Sequence, residues 1–301
     1  MTRDSAGPHR RKDESVAFHP KRIFFATDFS RQADKAFHYA AWWNRRFDGK
    51  LYSAHAIPAA YYAIDAGKIA PALRDSEIGI ARKKLQRYVT KVQGNQFDHE
   101  EVVASAVPKE LIREMVVSRH IDLVVMGSRG RGGLGKLTLG SVAESVLRHL
   151  NCPILICGPH CKQNLSKLES IVLATRMSLG SLRPMEYAVA IARQFKAQLA
   201  VTHILPHATK NKEIEAQQME CAAAEIERAV PSATALHPCY CVKDGDPAEQ
   251  ILRVAKERAA DLIVMGVDEK GRVADHFPWT TISQVIRMAR CPILTVPPIS
   301  I

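Results

Sequence analysis

The chain has 301 residues, of which 47% are hydrophobic and 24% are charged, and its formal net charge at pH 7 is +11. This length predicts about two domains, and the composition is that of a soluble globular protein rather than a disordered one. The positive charge favours an anionic partner but does not choose among a nucleotide, a nucleic acid and an acidic protein.

Residues 1–20 are predicted to form a disordered basic arm, because Arg3, Arg10, Arg11 and Lys12 lie among small polar residues. The N-terminus lacks the apolar core of a signal peptide, and no apolar run is long enough to cross a membrane. We therefore expect no membrane association and a cytoplasmic location. The seven scattered cysteines are expected to be mostly reduced and buried.

From residue 22 onward, apolar strand-like runs alternate with amphipathic helical patterns. A first strand is predicted over residues 22–27, and Ser30 is the expected N-cap of a helix that continues through Arg46. A second strand is predicted over residues 51–57. A second helix is predicted over residues 75–93.

The third strand is predicted over residues 101–107, and Pro108 suits the first position of the helix after it. A fourth strand at 123–126, a helix at 141–150 and a fifth strand at 154–157 complete the unit. Apolar strands separated by helices are typical of a parallel sheet that is covered on both faces. In such sheets ligands bind beyond the carboxyl ends of the strands, where the strand order reverses.

The second half of the chain repeats the first. Residues 121–127 match residues 260–266 at an offset of 139, and Cys152 matches Cys291 at the same offset. Nearer the start of each copy the offset is 148. The repeat predicts an α/β fold with two tandem five-stranded domains, each built around a parallel sheet.

The glycine-rich stretch after the fourth strand contains two familiar phosphate-binding frames, and both are disfavoured. A dinucleotide frame through Gly130, Gly132 and Gly135 follows the fourth strand instead of the first, and it lacks an acidic residue about 20 positions later. A P-loop frame that ends in Lys136 has Leu137 where a Ser or Thr hydroxyl would hold Mg²⁺.

A third, wider frame through Gly127, Gly130, Gly140 and Ser141 makes physical sense. Gly127 allows a tight turn after the strand, and Gly130 allows the backbone to lie close to a ligand. Gly140 and Ser141 begin a helix whose first amides can hold an anion. Ser141 is expected to cap that helix and to donate its hydroxyl to a phosphate.

The wider frame and the segments on either side of it resemble the signature of a known protein family. G-x2-G-x9-G-[ST], between a strand that ends in Met-Gly and a helix that leads to Cys-Pro-Ile-Leu, resembles the ATP-binding signature of the universal stress protein family. Ala-Thr-Asp-Phe-Ser from residue 26 and Ser-Ala-His-Ala from residue 53 resemble the first and second strands of the family. The resemblance covers residues 20–158 and 168–298, and it implies two Rossmann-like domains that bind adenine nucleotides.

The resemblance also implies roles for ten residues of the first domain. Asp28 would contact the ribose or the adenine, although a carboxylate there also suits the start of the first helix. Ala26 and Ala56 would line the adenine slot. Seven further residues would hold the rest of the nucleotide: Met126 and Gly127 beside the nucleoside, and Arg129, Gly130, Gly140, Ser141 and Val142 at the phosphates.

The predicted boundaries are residues 21–158 for the first domain, 159–167 for a linker and 168–298 for the second domain. Single-domain members of the family pair through their last strands. By resemblance, residues 154–157 and 293–296 would pair within this chain and make an internal pseudo-dimer. Association of two such chains into a homodimer is left open.

The second copy departs from the nucleotide pattern, since Arg176 stands at the position of Asp28. Four further positions change: Asp268 for Arg129, Glu269 for Gly130, Trp279 for Gly140 and Thr280 for Ser141. Carboxylates would lie where phosphate charge belongs, and an indole would crowd the start of the helix. We therefore expect only the first domain to bind ATP in the manner of the family.

Two other groups of residues are interpreted as structural rather than functional. His237, Cys239 and Cys241 alternate, so they would share one face of a strand and could form a soft-metal cluster, but no fourth ligand is evident. His55 and His203 recur in both copies and are expected to be core groups whose hydrogen bonds are satisfied. No metal ligands and no catalytic residues are predicted.

The sequence therefore predicts an ATP-binding regulatory stress protein, with ATP, with or without Mg²⁺, in the first domain. One alternative is an ATP-independent protein whose basic surface binds nucleic acid or acidic proteins. Another alternative is a weak ATPase. The sequence shows no nucleophile elbow and no activated pair of carboxylates, which argues against an efficient enzyme.

Overall fold

The computed structural model describes most of the chain. The described residues are 18–58, 71–93, 98–130, 139–163, 165–176, 182–205, 212–229, 235–267 and 278–298. Residues 1–17 of the arm lie outside them. Phe18 is only 4% exposed, and its ring contacts the rings of Trp43, Phe47 and Tyr187. The end of the predicted arm therefore packs against the rest of the chain through the Phe18 ring.

Ten strands and eight helices alternate along the described part of the chain. The strands are β1 (Arg22–Ala26), β2 (Lys50–Ile57), β3 (His99–Ser105), β4 (Leu123–Gly127), β5 (Ile154–Cys157), β6 (Ser170–Thr175), β7 (Gln198–Leu205), β8 (Cys239–Asp244), β9 (Leu262–Gly266) and β10 (Ile293–Val296). The helices are α1 (Arg31–Phe47), α2 (Pro71–Gln93), α3 (Pro108–Ser118), α4 (Ser141–His149), α5 (Leu182–Phe195), α6 (Lys212–Ala229), α7 (Pro247–Glu257) and α8 (Pro278–Met288). None of these helices is both long and apolar enough to span a bilayer.

All ten strands belong to one sheet, in the order β3-β2-β1-β4-β5-β10-β9-β6-β7-β8. Within each half the neighbouring strands are parallel, as predicted. The halves meet where β5 and β10 pair antiparallel, with Leu155 opposite Leu294. The Thr295 hydroxyl also donates to the Ile154 carbonyl oxygen at 3.2 Å across this join. The predicted pseudo-dimer through the last strands is therefore confirmed.

Local sequence explains where several helices begin and end. Ser30 caps α1, because its hydroxyl oxygen accepts a hydrogen bond from the Ala33 N–H at 3.2 Å. Pro108 lies at the first position of α3, where a missing N–H costs nothing. Both positions were predicted. At its other end, α1 stops at Asp48, which adopts a left-handed φ of 47°.

Two elements, α2 and β3, have boundaries that differ from the predicted ones by a few residues. Helix α2 begins at Pro71 rather than at 75, since proline suits the first turn of a helix as well as Asp75 does. Strand β3 spans His99–Ser105 rather than 101–107. It begins early because His99 pairs with Leu51 of β2, and it stops early because Val107 is already the N-cap of α3.

The hydrophobic core is continuous across the two halves on both faces of the sheet. One cluster combines buried residues of α1 and α5 with the sheet, and the other combines those of α3, α4, α7 and α8. On the first face Phe195 of α5 lies against Trp42, Trp43 and Phe47 of α1, at ring-centroid distances of 5.2, 5.5 and 6.0 Å. The two domains are thus packed as one body.

The predicted linker, residues 159–167, packs against both domains. Cys161 is 2% exposed, and its thiol lies 3.4 Å from the Tyr39 hydroxyl of α1. The Lys162 N–H donates to the carbonyl oxygen of Arg290, at 2.9 Å, in the second domain. This segment therefore helps to hold the two domains together.

Candidate functional site

A cavity of about 680 Å³ opens at the carboxyl ends of β1 and β4 in the first domain. The strand order reverses between these two strands, because the chain crosses from β3 back past β1 to reach β4. A crevice at such a switch point is where ligands bind in open α/β sheets. The volume is within the usual range for small-molecule sites.

The structure brings all ten sequence-predicted site residues together around this one cavity. They come from the end of β1, from β2, from the end of β4 and from the start of α4. The ten residues are Ala26, Asp28, Ala56, Met126, Gly127, Arg129, Gly130, Gly140, Ser141 and Val142. Their contacts with a ligand stay a prediction, but their convergence in space is a property of the fold.

The turn between β1 and α1 presents Asp28 to the cavity. One carboxylate oxygen of Asp28 accepts a hydrogen bond from the Ser30 N–H at 3.0 Å, so the helix-start role considered for this residue is present. Phe29 has a left-handed φ of 60°, which is uncommon for a residue with a side chain. The Thr27 hydroxyl accepts from the Phe29 N–H at 2.9 Å and holds this conformation.

The glycines of the motif keep contacting segments close together. A Cβ on Gly127 would lie 2.9 Å from the backbone carbon of Gln32, so β4 can approach the first turn of α1 only without a side chain there. A Cβ on Gly130 would lie 2.7 Å from the Asp28 Oδ2 atom. The Gly130 position thus makes room for the Asp28 carboxylate, whereas the sequence had predicted room for a ligand.

The N-terminus of α4 forms one wall of the cavity. Its N-cap is Gly140, and no side chain caps the helix. The prediction that Ser141 caps α4 is therefore wrong: Ser141 is the first helical residue, because the extended conformation of the cap lies one residue earlier. Ser141 is exposed, and its hydroxyl is not used as a cap. An uncapped helix N-terminus favours an anion.

The opposite wall of the cavity is apolar. It is formed by Phe24 and Ala54 of the sheet and by Pro108, Leu111 and Ile112 of α3. The sequence analysis did not identify these residues as cavity residues. Residues that line an apolar cavity and residues of the hydrophobic core have the same apolar pattern in the sequence. The cavity is consequently apolar at one end and polar, with helix amides, at the other.

Two polar residues at the polar end were also missed. Ser128 is 3% exposed, and within the described residues its hydroxyl has no hydrogen-bond partner. A buried hydroxyl of this kind is costly unless a ligand or water satisfies it. Glu144 lines the same end and accepts hydrogen bonds from Arg148 at 3.0 and 3.1 Å. No motif marked either residue in the sequence.

Helix α2 packs against the turn that carries Asp28. The Tyr88 hydroxyl donates to Asp34 at 2.5 Å, and its ring lies 4.7 Å from the Phe37 ring. Burial, followed by the hydrogen bond to Asp34, raises the pKa of Tyr88, so its hydroxyl remains a donor at neutral pH. The Lys84 Nζ atom lies 4.5 Å above the Phe29 ring.

The second domain differs at the equivalent places that the structure describes. Arg176, at the position of Asp28, is exposed. Helix α8 begins at Pro278, two residues before Thr280, which is equivalent to the first residue of α4. The helix therefore runs through Trp279, where the first domain has its N-cap glycine. Asp268 and Glu269 lie outside the described residues, as do Gly132 to Leu137 of the disfavoured phosphate frames.

The histidines and cysteines mostly have structural roles. The Nδ1 atom of His55 lies 2.8 Å from the Thr27 carbonyl oxygen, and that of His203 lies 3.0 Å from the Thr175 carbonyl oxygen. The expectation of satisfied histidines is confirmed in both repeats. All seven cysteines are free, and four of them are buried. Burial raises the pKa of Cys152 to about 12, which keeps it a thiol.

The soft-metal cluster that the sequence analysis considered and disfavoured is not formed as a three-ligand site by the described residues. Within the described residues, no three His, Cys, Asp or Glu side chains are arranged to hold a metal ion. His237 is exposed and has a left-handed φ of 46°, outside the extended range that would align it with the strand. Cys239 and Cys241 do share one side of β8, as predicted.

A parallel sheet with a cavity at its switch point and a helix N-terminus in the cavity wall defines a Rossmann-like α/β protein. The model of the universal stress protein family matches residues 19–158 and again residues 167–297. The chain therefore belongs to the universal stress protein family and contains two tandem domains of that family.

Known proteins match both the whole chain and a single repeat. A universal stress protein of Mycolicibacterium smegmatis is 24% identical over 92% of this chain and 97% of its own length. One from Methanocaldococcus jannaschii is 29% identical over 45% of this chain and 81% of its own length. A solved universal stress protein from Archaeoglobus fulgidus has a TM-score of 0.67 at 20% identity, covering 91% of this chain and 97% of its own. The last similarity shows a shared fold.

Proposed function

We propose that this universal stress protein is a regulatory module that binds ATP in the cavity of its first domain. The observation that carries the proposal is that residues from four separate elements converge on one cavity at the switch point of the sheet. This convergence supports the roles that the resemblance to the family implies for them. The cytoplasm is the proposed compartment.

The two ends of the cavity suit the two ends of the nucleotide. The apolar wall with Ala54, Ala56 and Ile112 is suited to the flat adenine ring. The start of α4, together with Arg129 and the Ser128 hydroxyl, offers donors and positive charge for the phosphates. The unsatisfied buried hydroxyl supports a polar ligand at this end rather than an apolar one.

Mg²⁺ enters the proposal as a counterion of the phosphates. This ion is usually held by one or two carboxylates in addition to substrate phosphates. Asp28 and Glu144 are the carboxylates that line the cavity. Because Glu144 is paired with Arg148, the described residues offer little support for a general base, and slow ATP hydrolysis stays the weaker alternative.

The second domain is proposed to support the fold rather than to bind ATP. Arg176 replaces the acidic residue of the turn, and α8 extends through the position of the N-cap glycine. A continuing helix leaves fewer open amides where the phosphates would lie. The proposed stoichiometry is therefore a single nucleotide per chain.

Replacement of Gly130 by leucine tests the proposed site. The new side chain would displace the Asp28 carboxylate, since even a Cβ would lie 2.7 Å from its Oδ2 atom. We expect Gly130→Leu to weaken ATP binding at least about tenfold, measured by isothermal titration calorimetry. Gly79→Leu on α2 is the matched control, because a Cβ there would meet nothing within 4 Å. Unchanged ATP affinity in both Gly130→Leu and Gly140→Leu would show that the site is assigned wrongly.

A further inference from the structure

Two thiols lie side by side on β8, the last strand of the sheet. The sulfur atoms of Cys239 and Cys241 are 4.0 Å apart, and both residues are half-exposed. Arg258, which directly follows α7, is exposed and places its Nη2 atom 2.7 Å from the Cys239 sulfur and 3.9 Å from the Cys241 sulfur. The pair thus lies at the surface with a guanidinium against one member.

The equivalent arginine of the first repeat shows which kind of side chain lies against this position. At the offset of 139, Arg119 is equivalent to Arg258 and Glu100 is equivalent to Cys239. Arg119 donates to the Glu100 carboxylate at 2.6 Å in an ion pair. The same geometry in the second repeat therefore joins an arginine to a sulfur in place of a carboxylate. The guanidinium is thus placed where it would stabilise a negative charge on the Cys239 sulfur.

We propose that Cys239 is a redox-reactive cysteine that is oxidised by hydroperoxides, with Cys241 as its resolving thiol. Three features together support this assignment: surface access, a cation in contact with the sulfur, and a second thiol within 4.0 Å. They are the usual environment of a redox-reactive cysteine. The site lies on the second domain and is independent of the proposed nucleotide cavity.

The chemistry balances with a hydroperoxide as the only oxidant. The Cys239 thiolate attacks the nearer peroxide oxygen, the O–O bond breaks, and the products are a sulfenic acid on Cys239 and an alkoxide or hydroxide that takes up a proton. The Cys241 thiol then loses its proton and attacks the sulfenic sulfur. An S–S bond forms, hydroxide leaves, and the proton and hydroxide make water.

The two thiols are suited to different steps. Burial and the neighbouring Cys239 raise the pKa of Cys241, which keeps Cys241 protonated until the second step. The Arg258 guanidinium lies closer to the Cys239 sulfur than to the Cys241 sulfur, so it favours Cys239 as the sulfur that attacks the peroxide.

The position on an edge strand allows the disulfide to close and to reopen. Residues two apart on a strand have Cα atoms about 6.6 Å apart, near the upper limit for a disulfide. Closure therefore requires local bending of β8, which β7 restrains from one side only in the described sheet. A disulfide under such strain is readily reduced, so the modification is expected to be reversible by dithiothreitol.

Peptide mapping tests the proposal on the full chain. The reduced protein is treated with hydrogen peroxide, alkylated and digested with trypsin, which places Cys239 and Cys241 alone in the peptide of residues 229–243. We expect the oxidised peptide to escape alkylation and to weigh about 2 Da less than the unalkylated dithiol peptide, and dithiothreitol treatment before alkylation to restore two alkylated cysteines. Cys221 on α6 is exposed and serves as the internal control for access alone. We expect Cys239 to react at least about tenfold faster than Cys221.

Two variants separate the guanidinium effect from general surface reactivity. Arg258→Gln is expected to slow peroxide oxidation of Cys239 about tenfold. Arg253→Gln, an exposed arginine of α7, is the matched control and is expected to leave the rate unchanged.

Cys241→Ser is expected to leave Cys239 as a sulfenic acid that dimedone labels. Equal rates at Cys239 and Cys221, an unchanged rate in Arg258→Gln, or no dimedone adduct in Cys241→Ser would each overturn the proposal.

Discussion

At the scale of single residues, side chains of the turn after β1 contribute both to stability and to the proposed site. The Ser30 hydroxyl accepts from the Ala33 N–H and also donates to the Arg129 carbonyl oxygen at 3.3 Å. It therefore caps α1 and fixes the segment that follows β4. Asp28 combines two roles in the same way, since it accepts from the Ser30 N–H and lines the cavity.

Ser30→Ala is expected to lower the free energy of unfolding by about 1–2 kcal/mol, because it removes an N-cap. It is also expected to weaken ATP binding, since the segment of Arg129 loses a hydrogen bond. Asp246→Ala removes the N-cap of α7, where Asp246 accepts from the Glu249 N–H at 2.9 Å, and is the matched control. Urea denaturation and calorimetry measure the two effects. Equal ATP affinity in both variants would contradict the coupling.

The sequence predicted which residues come together around the cavity better than it predicted their individual conformations. Spacing and resemblance located ten residues that do converge, because motif positions are fixed by the strand and helix on either side. The cap of α4 was misassigned to Ser141, since glycine and serine are both acceptable N-caps and only backbone conformation distinguishes them. Ser128 and Glu144 were missed because their burial and orientation are properties of the folded chain.

At the scale of elements, the alternation of strands and helices was predictable almost throughout. The strands β4 and β9 are short apolar runs that are buried along most of their length, and their hydrophobic pattern is unambiguous. The ends of α2 and β3 were less predictable, because pairing with β2 and competition between possible first residues decide them. The packing of Gly158 against α8 could not be predicted, since it joins segments far apart in sequence.

Gly158→Ala tests the contact between the end of β5 and α8. A Cβ on Gly158 would lie 1.9 Å from the carbonyl oxygen of Ile286, so one of the two segments must move. We expect a loss of about 1–3 kcal/mol in the free energy of unfolding. Gly79→Ala is the control and is expected to gain roughly 0.5–1 kcal/mol, because alanine favours a helix over glycine. Equal stability of the two variants in urea denaturation would contradict this packing.

At the scale of the whole molecule, the two repeats form one sheet and share their core on both faces. The antiparallel pair of β5 and β10 leaves neither strand as an open edge. It also directs the carboxyl ends of the two parallel halves to opposite sides of the molecule. The sequence repeat predicted two domains, and the resemblance predicted their pairing, but the aromatic packing between α1 and α5 was not predicted.

Because the core is shared, both domains are expected to unfold in one transition. Tryptophan fluorescence of a Trp279→Phe variant reports on Trp42 and Trp43 in the first domain, whereas circular dichroism reports on both domains. We expect the two signals to change at the same urea concentration. Phe195→Ala is expected to lower that midpoint for both signals, with a loss on the order of 2 kcal/mol. Separate transitions would contradict a shared core.

Native mass spectrometry of the full chain with ATP tests the central claim most directly, because it counts nucleotides on each molecule. The predicted result is a single bound ATP on the unaltered protein and on Gly79→Leu, and a much smaller occupied fraction on Gly130→Leu, at an ATP concentration near the Kd of the unaltered protein. Two bound nucleotides would contradict the assignment of ATP to the first domain alone. No bound nucleotide on the unaltered protein, or an unaffected Gly130→Leu variant, would contradict the proposed cavity.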